Sequence, residues 1–425
     1  MTTPGISETI AAVWRIESAR IVAGLARIVR EIGVAEDLAQ DALVAAFEQW
    51  PDSGIPRNPG AWLMGVAKHR AIDHLRRGQL LERKHGELAY EIDAANRAPD
   101  LDATLDDDVG DDMLRLIFTA CHPMLPREAR VALTLRLVAG LTTHEIARAF
   151  LVPEPTIAQR LVRAKKTLAA RRVPFELPRG DEREARLASV LDVVYLIFNE
   201  GYTATAGADW LRSDLCEDAL RLARMVAALA PDDAEASGLA ALLEIQASRL
   251  KARVGPSGEI VLLADQNRAS WDRLLIQRGL AALSRAERLS VVDPVQQVRR
   301  VRGPYTLQAA IAACHARAAS VVETDWRRIV SIYDELLERT PSPVVALNRA
   351  VAVAMADGPE AGLVIIDALA NDPALKSYHL LPAVRGDMLE KIGRADEART
   401  EFQRAASLTR NEAERDLLLR RARFS

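Results

Sequence analysis

Apolar residues recur at intervals of three and four positions along most of the chain, with polar residues between them. This interval places apolar side chains on one face of an α-helix. The chain is rich in Ala, Leu and Arg, and aromatic residues make up only 4% of it, which favours helices over sheets. Its 425 residues exceed what one hydrophobic core supports. We therefore predict an almost all-α protein of two small helical domains followed by a C-terminal helical-repeat domain.

Three helices are predicted in the first domain, which spans residues 7–78. Ser7 can cap the first helix, and Gly33 supplies the stop that follows its last turn. The second helix covers about residues 36–50, and a loop over residues 51–57 separates it from the third.

The third helix begins with Asn58 as its N-cap and Pro59 in its first turn, and it is predicted to end at Gly78. Side chains four and seven positions apart lie on one face of a helix. Here they form a polar stripe: Arg70, His74 and Arg77.

Residues 142–168 have the pattern of a helix-turn-helix. Thr142 and Glu145 stand at the spacing of a capping box, in which both side chains bind unpaired backbone amides at the start of a helix. Two prolines break the pattern, and Thr156 can open the second helix. That helix combines an apolar seam with polar and cationic residues: Ile157, Leu161, Ala164 and Leu168 against Gln159, Arg160, Arg163, Lys165 and Lys166. Such a motif is typical of a module that binds DNA.

The net charge of −3 hides a segregation of charge along the chain. Residues 55–90 carry a net charge of +4, and residues 127–172 carry ten cations against three carboxylates. Between them, residues 91–112 carry nine carboxylates and one arginine. We interpret residues 79–112 as an acidic linker between two basic modules, the second of which spans residues 113–172.

Residues 183–422 consist of Ala- and Leu-rich helical pairs that match a tetratricopeptide pattern, most clearly in the last copy. Its signature positions hold Gly386, Leu389, Ala398, Phe402 and Ala405. Residues 255–272 interrupt the pairs with a Gly-Pro-Ser-Gly turn and an Ile-Val-Leu-Leu run, which predict a small hairpin or an extended insertion.

Cysteine usage and hydropathy exclude several classes of protein. Cys121, Cys216 and Cys314 are far apart and odd in number, so they predict neither a disulfide framework nor a zinc site. No apolar run reaches membrane-spanning length, and the N-terminus lacks a signal pattern. We expect a cytoplasmic protein with no membrane partner, no metal and no cofactor.

Three stretches together resemble extracytoplasmic-function (ECF) sigma factors, which direct bacterial RNA polymerase to promoters: residues 35–50, 58–77 and 142–168. Residues 195–202 and 262–272 are similar to the group of these factors that carries a fused C-terminal tetratricopeptide-like extension. The resemblance implies that residues 7–78 are sigma region two and residues 113–172 are region four. It also implies a protein that is not an enzyme, because the polymerase performs the chemistry.

For region two, the resemblance implies that the second helix docks on the β′ clamp of core RNA polymerase through Asp37, Gln40 and Asp41. The third helix and the loop before it would hold the −10 promoter element. Its candidate DNA-binding residues are Asn58, Lys68, Arg70, His74, Arg76 and Arg77.

For region four, the resemblance implies binding of the β flap and of the −35 element, with the second helix of the motif in the major groove. Gln159 and Arg163 project together and are the candidates for base contacts. Family members often have glycine at the position of Pro155 and a cation at that of Ala158. The remaining candidates would contact the DNA backbone: Thr156, Arg160, Lys165 and Lys166.

Two parts of the chain leave alternatives open. The acidic linker, with Asp106, Asp107, Asp108, Asp111 and Asp112, is either a solvated tether or, as the resemblance implies, a segment that occupies the RNA channel of the polymerase. The repeats would regulate or support activity and could bind a protein or peptide. Their polar motifs predict a structural network more readily than a ligand pocket: Asn199, Glu200, Tyr202, Asp265, Gln266, Asn267, Arg268 and Trp271.

Two other functions compete with the sigma factor. A stand-alone helix-turn-helix regulator with a repeat-built sensor domain would explain residues 142–422 but leave residues 35–77 without a role. An enzyme would need acid-base groups such as Glu200 or Asp265, or a thiol-imidazole pair of Cys121 and His122. Adjacent residues on a helix rarely face each other, which disfavours that pair.

Overall fold

The computed structural model describes residues 6–86, 109–150, 152–204, 206–207, 210–256, 258–290 and 301–424. The chain divides into two compact units, Met1–Val193 and Val194–Ser425. Apart from one two-residue strand pair and one isolated bridge, the regular structure in these residues is helical, which confirms the predicted all-α fold. No helix among them is long and apolar enough to cross a membrane.

The first unit contains the helices up to residue 193, the last of which continues into the second unit. They are α1 (Ile6–Val29), α2 (Ile32–Ser53), α3 (Pro59–Gly86), α4 (Val109–Ala120), α5 (Arg127–Leu137), α6 (Thr143–Ala149), α7 (Glu154–Ala170) and α8 (Gly180–Tyr202). Helices α1, α2 and α3 pack on one another, and α4 packs against α1. Helix α7 contacts both α5 and α2, so the predicted regions two and four lie in one compact body.

The predicted stop at Gly33 is wrong. Gly33 lies inside the first turn of α2, while Arg30 adopts the left-handed conformation that ends α1, with φ of 56°. Ile32, the first residue of α2, is buried ahead of the glycine, which favours a helix that begins before Gly33. The second helix is therefore longer than predicted and ends at Ser53, before Gly54 with φ of 80°.

The N-cap predicted for the third helix is confirmed, because the Asn58 Oδ1 accepts a hydrogen bond from the Ala61 amide at 3.1 Å. The predicted end at Gly78 is wrong, since α3 continues to Gly86. A glycine costs a helix only about 1 kcal/mol relative to alanine, which is too little to stop it. Helix α4 begins at Val109, so both described ends of the predicted linker are helical; residues 87–108 lie outside the described residues.

The second unit continues with α9 (Ser213–Leu229), α10 (Ala234–Ala247), α11 (Arg273–Leu289), α12 (Pro304–Arg317), α13 (Trp326–Arg339), α14 (Pro343–Asp357), α15 (Pro359–Leu369), α16 (Leu380–Lys391), α17 (Ala395–Leu408) and α18 (Glu412–Phe424). Short 3-10 helices cover Leu250–Arg253, Leu263–Asp265, Arg268–Ser270 and Pro373–Leu375. Strands β1 (Ala206–Gly207) and β2 (Arg410–Asn411) pair in parallel.

Several consecutive helices of the second unit pack against each other, but α10 also packs on α12, two helices further along the chain. Helices α16 and α17 are one of the consecutive pairs. Phe402 is fully buried there, and a Cβ on Gly386 would lie 2.9 Å from its ring, so the glycine permits this contact. The identification of these pairs as tetratricopeptide repeats stays a prediction. The predicted hairpin is reduced to a single antiparallel bridge between Val254 and Ile260, followed by two 3-10 turns.

Candidate nucleic-acid interface

The helix-turn-helix is formed by α6 and α7, and its first helix has the predicted capping box. The Thr142 hydroxyl accepts a hydrogen bond from the Glu145 amide at 3.1 Å, and the Thr142 amide donates to the Glu145 carboxylate at 2.7 Å. The second helix begins earlier than predicted, with Pro153 as the N-cap residue, so Thr156 lies in its first turn. Pro155 is favourable in that first turn because the first amides of a helix have no partner.

The two sides of α7 separate as the sequence predicts. Its apolar seam is buried: Ile157, Leu161, Ala164 and Leu168. Gln159, Arg163 and Lys166 are exposed, and Arg160 is half-buried. None of these three cations forms an ion pair within the described part of the chain, so their charges face solvent uncompensated. This side of α7 can bind a polyanion.

Lys165 points elsewhere. Its Nζ lies 2.9 Å from Oε2 of Glu36 on α2, and Nε of Arg136 on α5 lies 2.7 Å from the other carboxylate oxygen. Glu36 is only 5% exposed. Burial alone would raise its pKa, but Lys165 and Arg136 outweigh burial and hold the pKa below its usual value. In this arrangement Lys165 holds α7 against α2, the helices of the predicted regions four and two.

Glu36 was not among the predicted site residues. The sequence did contain an indication of its role, because this carboxylate lies on the same, buried side of α2 as Ala35 and Ala39. A buried charge of this kind requires a partner from another element. The sequence does not say which cation supplies it, since both partners are more than 90 residues away.

The predicted polymerase-binding residues on α2 differ in their surroundings. Asp37 and Asp41 are exposed, whereas the Gln40 amide donates to Glu36 at 2.9 Å. Asp41 lies 3.2 Å from Arg70 on α3, so one predicted polymerase contact pairs with one predicted DNA contact. Only Asp37 of the three lacks a side-chain partner among the described residues.

The outer side of α3 presents its remaining candidates to solvent. His74, Arg76 and Arg77 are exposed, and Lys68 is half-buried. Asn58 is exposed, although its side-chain oxygen is occupied by the cap. Trp62 packs edge to face on the buried Trp50, with ring centroids 5.3 Å apart, so it contributes to packing between α2 and α3.

One predicted linker residue has a different role. Asp112 is only 5% exposed and pairs with Arg115 at 2.6 Å and with Arg27 at 3.3 Å. It therefore anchors α4 to α1 and is not part of an exposed acidic surface. Asp111 is half-exposed and lies 3.9 Å from Arg115. Asp106, Asp107 and Asp108 lie outside the described residues.

Comparison with known families matches three segments in the order of this architecture. Residues 16–80 match Sigma-70 region 2, residues 115–168 match Sigma-70 region 4, and residues 186–287 match a family of unknown function, DUF6596. The chain is 42% identical over 402 residues to uncharacterized protein R00370 of Rhizobium meliloti (strain 1021), covering 92% of this chain and 89% of that protein. The chain belongs to the family of that protein. Its two sigma-70 regions and DUF6596 segment indicate an ECF-like sigma factor.

A more distant similarity links the chain to a protein described as probable ECF RNA polymerase sigma factor SigI. The two Mycobacterium tuberculosis sequences, from strains CDC 1551 / Oshkosh and ATCC 25618 / H37Rv, are each 27% identical over 180 residues. The match covers 41% of this chain and 60% of SigI.

The thiol-imidazole pair weighed for an enzyme does not form. The Cys121 side chain is fully buried against the Thr134 hydroxyl, with the two atoms 3.1 Å apart, and burial raises the pKa of its thiol to about 12. The His122 Nδ1 instead accepts a hydrogen bond from the Met124 amide at 3.2 Å. A protonated, buried thiol with no adjacent base is a poor nucleophile.

Polar motifs of the DUF6596 segment form a network within the second unit. The Arg268 guanidinium donates to the carbonyls of His315 and Ala318 at 2.9 and 3.0 Å, and to the Thr324 hydroxyl at 3.0 Å. Glu200 pairs with Arg212. The Arg268 contacts join the insertion to the C-terminal end of α12, which agrees with the predicted structural network.

Proposed function

We propose that this protein is a bacterial sigma factor that binds core RNA polymerase and directs transcription from specific promoters. The observation that carries the proposal is the outer side of α7, which presents Gln159, Arg163 and Lys166 after a capped, short α6. Both sigma-70 regions occur in order, and their match to the described helices supports the same role.

Region four would place α7 in the major groove of the −35 element. Gln159 and Arg163 are four positions apart, exposed on one side, and chemically suited to adenine and guanine edges. Arg160, Lys166 and Thr156 would contact phosphates near them. Lys165 would join them only after it leaves Glu36, because its Nζ is held there at 2.9 Å.

Region two would hold the −10 element along α3. Arg76, Arg77 and His74 are exposed on the same helix, while Lys68 and Arg70 lie closer to the body of the unit. Cations in such a row neutralise successive phosphates of a single strand. Asn58 would contribute its amide nitrogen, since its side-chain oxygen already caps α3.

Polymerase binding would use the exposed edge of α2. Asp37 is solvent-facing, and Asp41 would exchange Arg70 for a cation of the β′ clamp, because an exposed pair is weak. Gln40 would act through Glu36, to which it donates. Region four would in addition bind the β flap, as its family resemblance implies.

The linker would place its acidic residues in the RNA channel of the polymerase. Asp106, Asp107, Asp108 and Asp111 are the residues for this role, since Asp112 is buried in an ion pair. Replacing these four with asparagine should change the ratio of abortive to full-length transcripts. An unchanged ratio would leave the role of a passive tether.

The second unit would regulate or support initiation, and a bound protein or peptide is one way to do so. A truncation that tests this should end after α8, because its Ser189 and Asp192 side chains bond Arg130 and Arg127 of α5 in the first unit. Removal of residues 203–425 should alter promoter-specific transcription. Equal activity of the truncated and complete chains would make the second unit dispensable for initiation.

The deciding experiment adds the complete protein to sigma-free core polymerase and a library of promoter fragments, and sequences the transcripts. Initiation at a defined set of promoters is the expected result, and Arg163→Ala should reduce it. Arg278→Gln, on the exposed surface of α11, is the matched control and should have no effect. Binding to duplex DNA without initiation would favour the stand-alone helix-turn-helix regulator instead.

A further inference from the structure

Two cavities adjoin each other inside the second unit. Their volumes are about 290 and 500 Å³, and Arg249, Leu263 and His315 line both of them. The larger one lies within the range of pockets that hold small organic molecules. It is bounded by the insertion after α10 on one side and by α14, α16 and α18 on the other.

The helical wall of the larger cavity is mainly apolar. Side chains from three helices form it: Val351 and Met355 of α14, Ala383 and Val384 of α16, and Leu417 and Leu418 of α18. Its charged groups are paired. Asp387 binds Arg421 and Lys391, and Glu414 lies 3.2 Å from His379. This side therefore offers an apolar surface with little uncompensated charge.

The opposite wall carries three arginines, Arg249, Arg253 and Arg268. Arg249 donates to the Gln246 side chain, and Arg253 donates to the Tyr202 carbonyl and the Thr203 hydroxyl. Arg253 also stacks on two rings, 3.5 Å from the Tyr202 centroid and 4.1 Å from that of Trp210. Within the described residues none of the three forms an ion pair with a carboxylate, so this wall has an excess of positive charge.

Several buried donors on this wall lack an acceptor. Arg253 and Arg268 are 5% and 7% exposed, and the Nε of each has no hydrogen-bond partner among the residues that the structure describes. Burial lowers the pKa of Arg253, and the charge of Arg249 lowers it further. Burial and the two neighbouring arginines lower the pKa of His315 to about 4, so it stays neutral. Three clustered guanidinium groups without a carboxylate partner among the described residues are the chemistry that attracts an organic anion.

We propose that the larger cavity binds an amphipathic organic anion, with its carboxylate among Arg249, Arg253 and Arg268 and its apolar body along α14, α16 and α18. The anion would neutralise the excess charge of one wall, and its body would cover the apolar side chains of the other. This site lies wholly within the second unit, so it does not depend on the sigma-factor function proposed for the first. It would make this unit a sensor of a small acid.

The test uses the complete chain and laurate below its micelle concentration, with dodecanol as the neutral analogue of equal length. Trp210 and Trp326 line the cavity, so tryptophan fluorescence reports binding, and calorimetry checks the stoichiometry. Laurate should bind with saturation at one site per chain. Dodecanol should bind about tenfold more weakly or worse, because it lacks the charge that the arginines recognise.

Two variants locate the binding. Arg249→Gln should weaken laurate binding about tenfold with little effect on folding. Among the described residues the Arg249 guanidinium donates to the nearby Gln246 side chain, whereas Arg253 and Arg268 hold backbone carbonyls. Arg278→Gln, which removes an exposed arginine of the same unit, is the control and should bind as the parent does. Ala383→Phe should fill the apolar end and weaken both laurate and dodecanol.

A series of acids of increasing chain length, octanoate, decanoate and laurate, tests the role of the apolar wall even if Ala383→Phe does not fold. Affinity should rise with chain length if the body lies on the apolar wall. No saturable binding of any of these acids would overturn the proposal. Equal affinity for laurate and dodecanol would overturn it too. So would equal losses of laurate affinity in Arg249→Gln and Arg278→Gln.

Discussion

The two basic helices of the first unit, α3 and α7, hold their cations in different ways. Each gives one cation to α2: Arg70 of α3 pairs with Asp41, and Lys165 of α7 pairs with Glu36. The first pair is exposed, with side chains 37% and 58% accessible, whereas Glu36 in the second is 7% accessible. Exposed pairs contribute little to stability, but breaking a buried pair leaves an uncompensated charge. A ligand could therefore displace the exposed pair of α3 at little cost. The buried pair of α7, in contrast, fixes that helix to region two.

The largest expected effect comes from breaking the buried pair. Glu36→Ala leaves Lys165 and Arg136 without their shared carboxylate, so it should destabilise the first unit by about 3–5 kcal/mol. Faster hydrogen–deuterium exchange in α2 and α7 would report this loss. The matched variant Asp41→Ala removes the exposed partner and should cost about 1 kcal/mol or less. Equal losses of stability in Glu36→Ala and Asp41→Ala would refute the contrast between the buried pair of α7 and the exposed pair of α3.

Acid should break the same contact without a mutation. The folded protein lowers the pKa of Glu36, so the stability that this group contributes is complete above the ordinary carboxylate pKa. It is then lost as the pH falls through the lowered value. The protection of α7 amides from exchange, relative to their intrinsic exchange rate at each pH, should therefore fall in acid in the parent. In Glu36→Gln, which carries no titrating group at this position, the fall in protection should be smaller.

The outer side of α7 allows a direct comparison of an unpaired cation with a paired one. Arg163→Ala should reduce affinity for promoter DNA by about 1–3 kcal/mol and relax specificity at one base pair, because Arg163 is exposed and suited to a base edge. Lys165→Ala should have a smaller effect while Lys165 remains on Glu36. Titration of labelled duplex at several salt concentrations measures both. Equal losses of DNA affinity, with hydrogen–deuterium exchange of α7 unchanged in Lys165→Ala, would mean that Lys165 leaves Glu36 when DNA binds.

Sequence patterns predicted local features of this protein well and long-range pairings poorly. The seam of α7, the capping box of Thr142 and the cap of Asn58 depend on residues within one turn of each other. Lys165 was predicted as a phosphate contact because its position on a basic helix is local information. Its partner Glu36 lies 129 residues away, and only the folded chain brings the two together.

Predictions of helix ends from glycine positions had the same limit. A stop was predicted at Gly33 and at Gly78, but α2 includes the first and α3 continues past the second. The buried side chain of Ile32 favours a start of α2 before Gly33, and Arg30 takes the left-handed position that glycine was expected to fill. At Gly33, burial of the Ile32 side chain ahead of the glycine can offset the roughly 1 kcal/mol that a glycine costs inside a helix.

The smallest expected effects come from the caps of the two segments that we propose bind DNA. Thr142→Ala removes the hydroxyl that accepts from the Glu145 amide, and Asn58→Ala removes the oxygen that accepts from the Ala61 amide. Each loss should cost about 1 kcal/mol. The consequences should differ, because α6 has only 7 residues and α3 has 28. A short helix has few other hydrogen bonds to hold it, so Thr142→Ala should speed exchange through all of α6, whereas Asn58→Ala should affect only the first turn of α3. Exchange confined to the first turn in both variants would show that packing against α7, and not the cap, holds α6 in place.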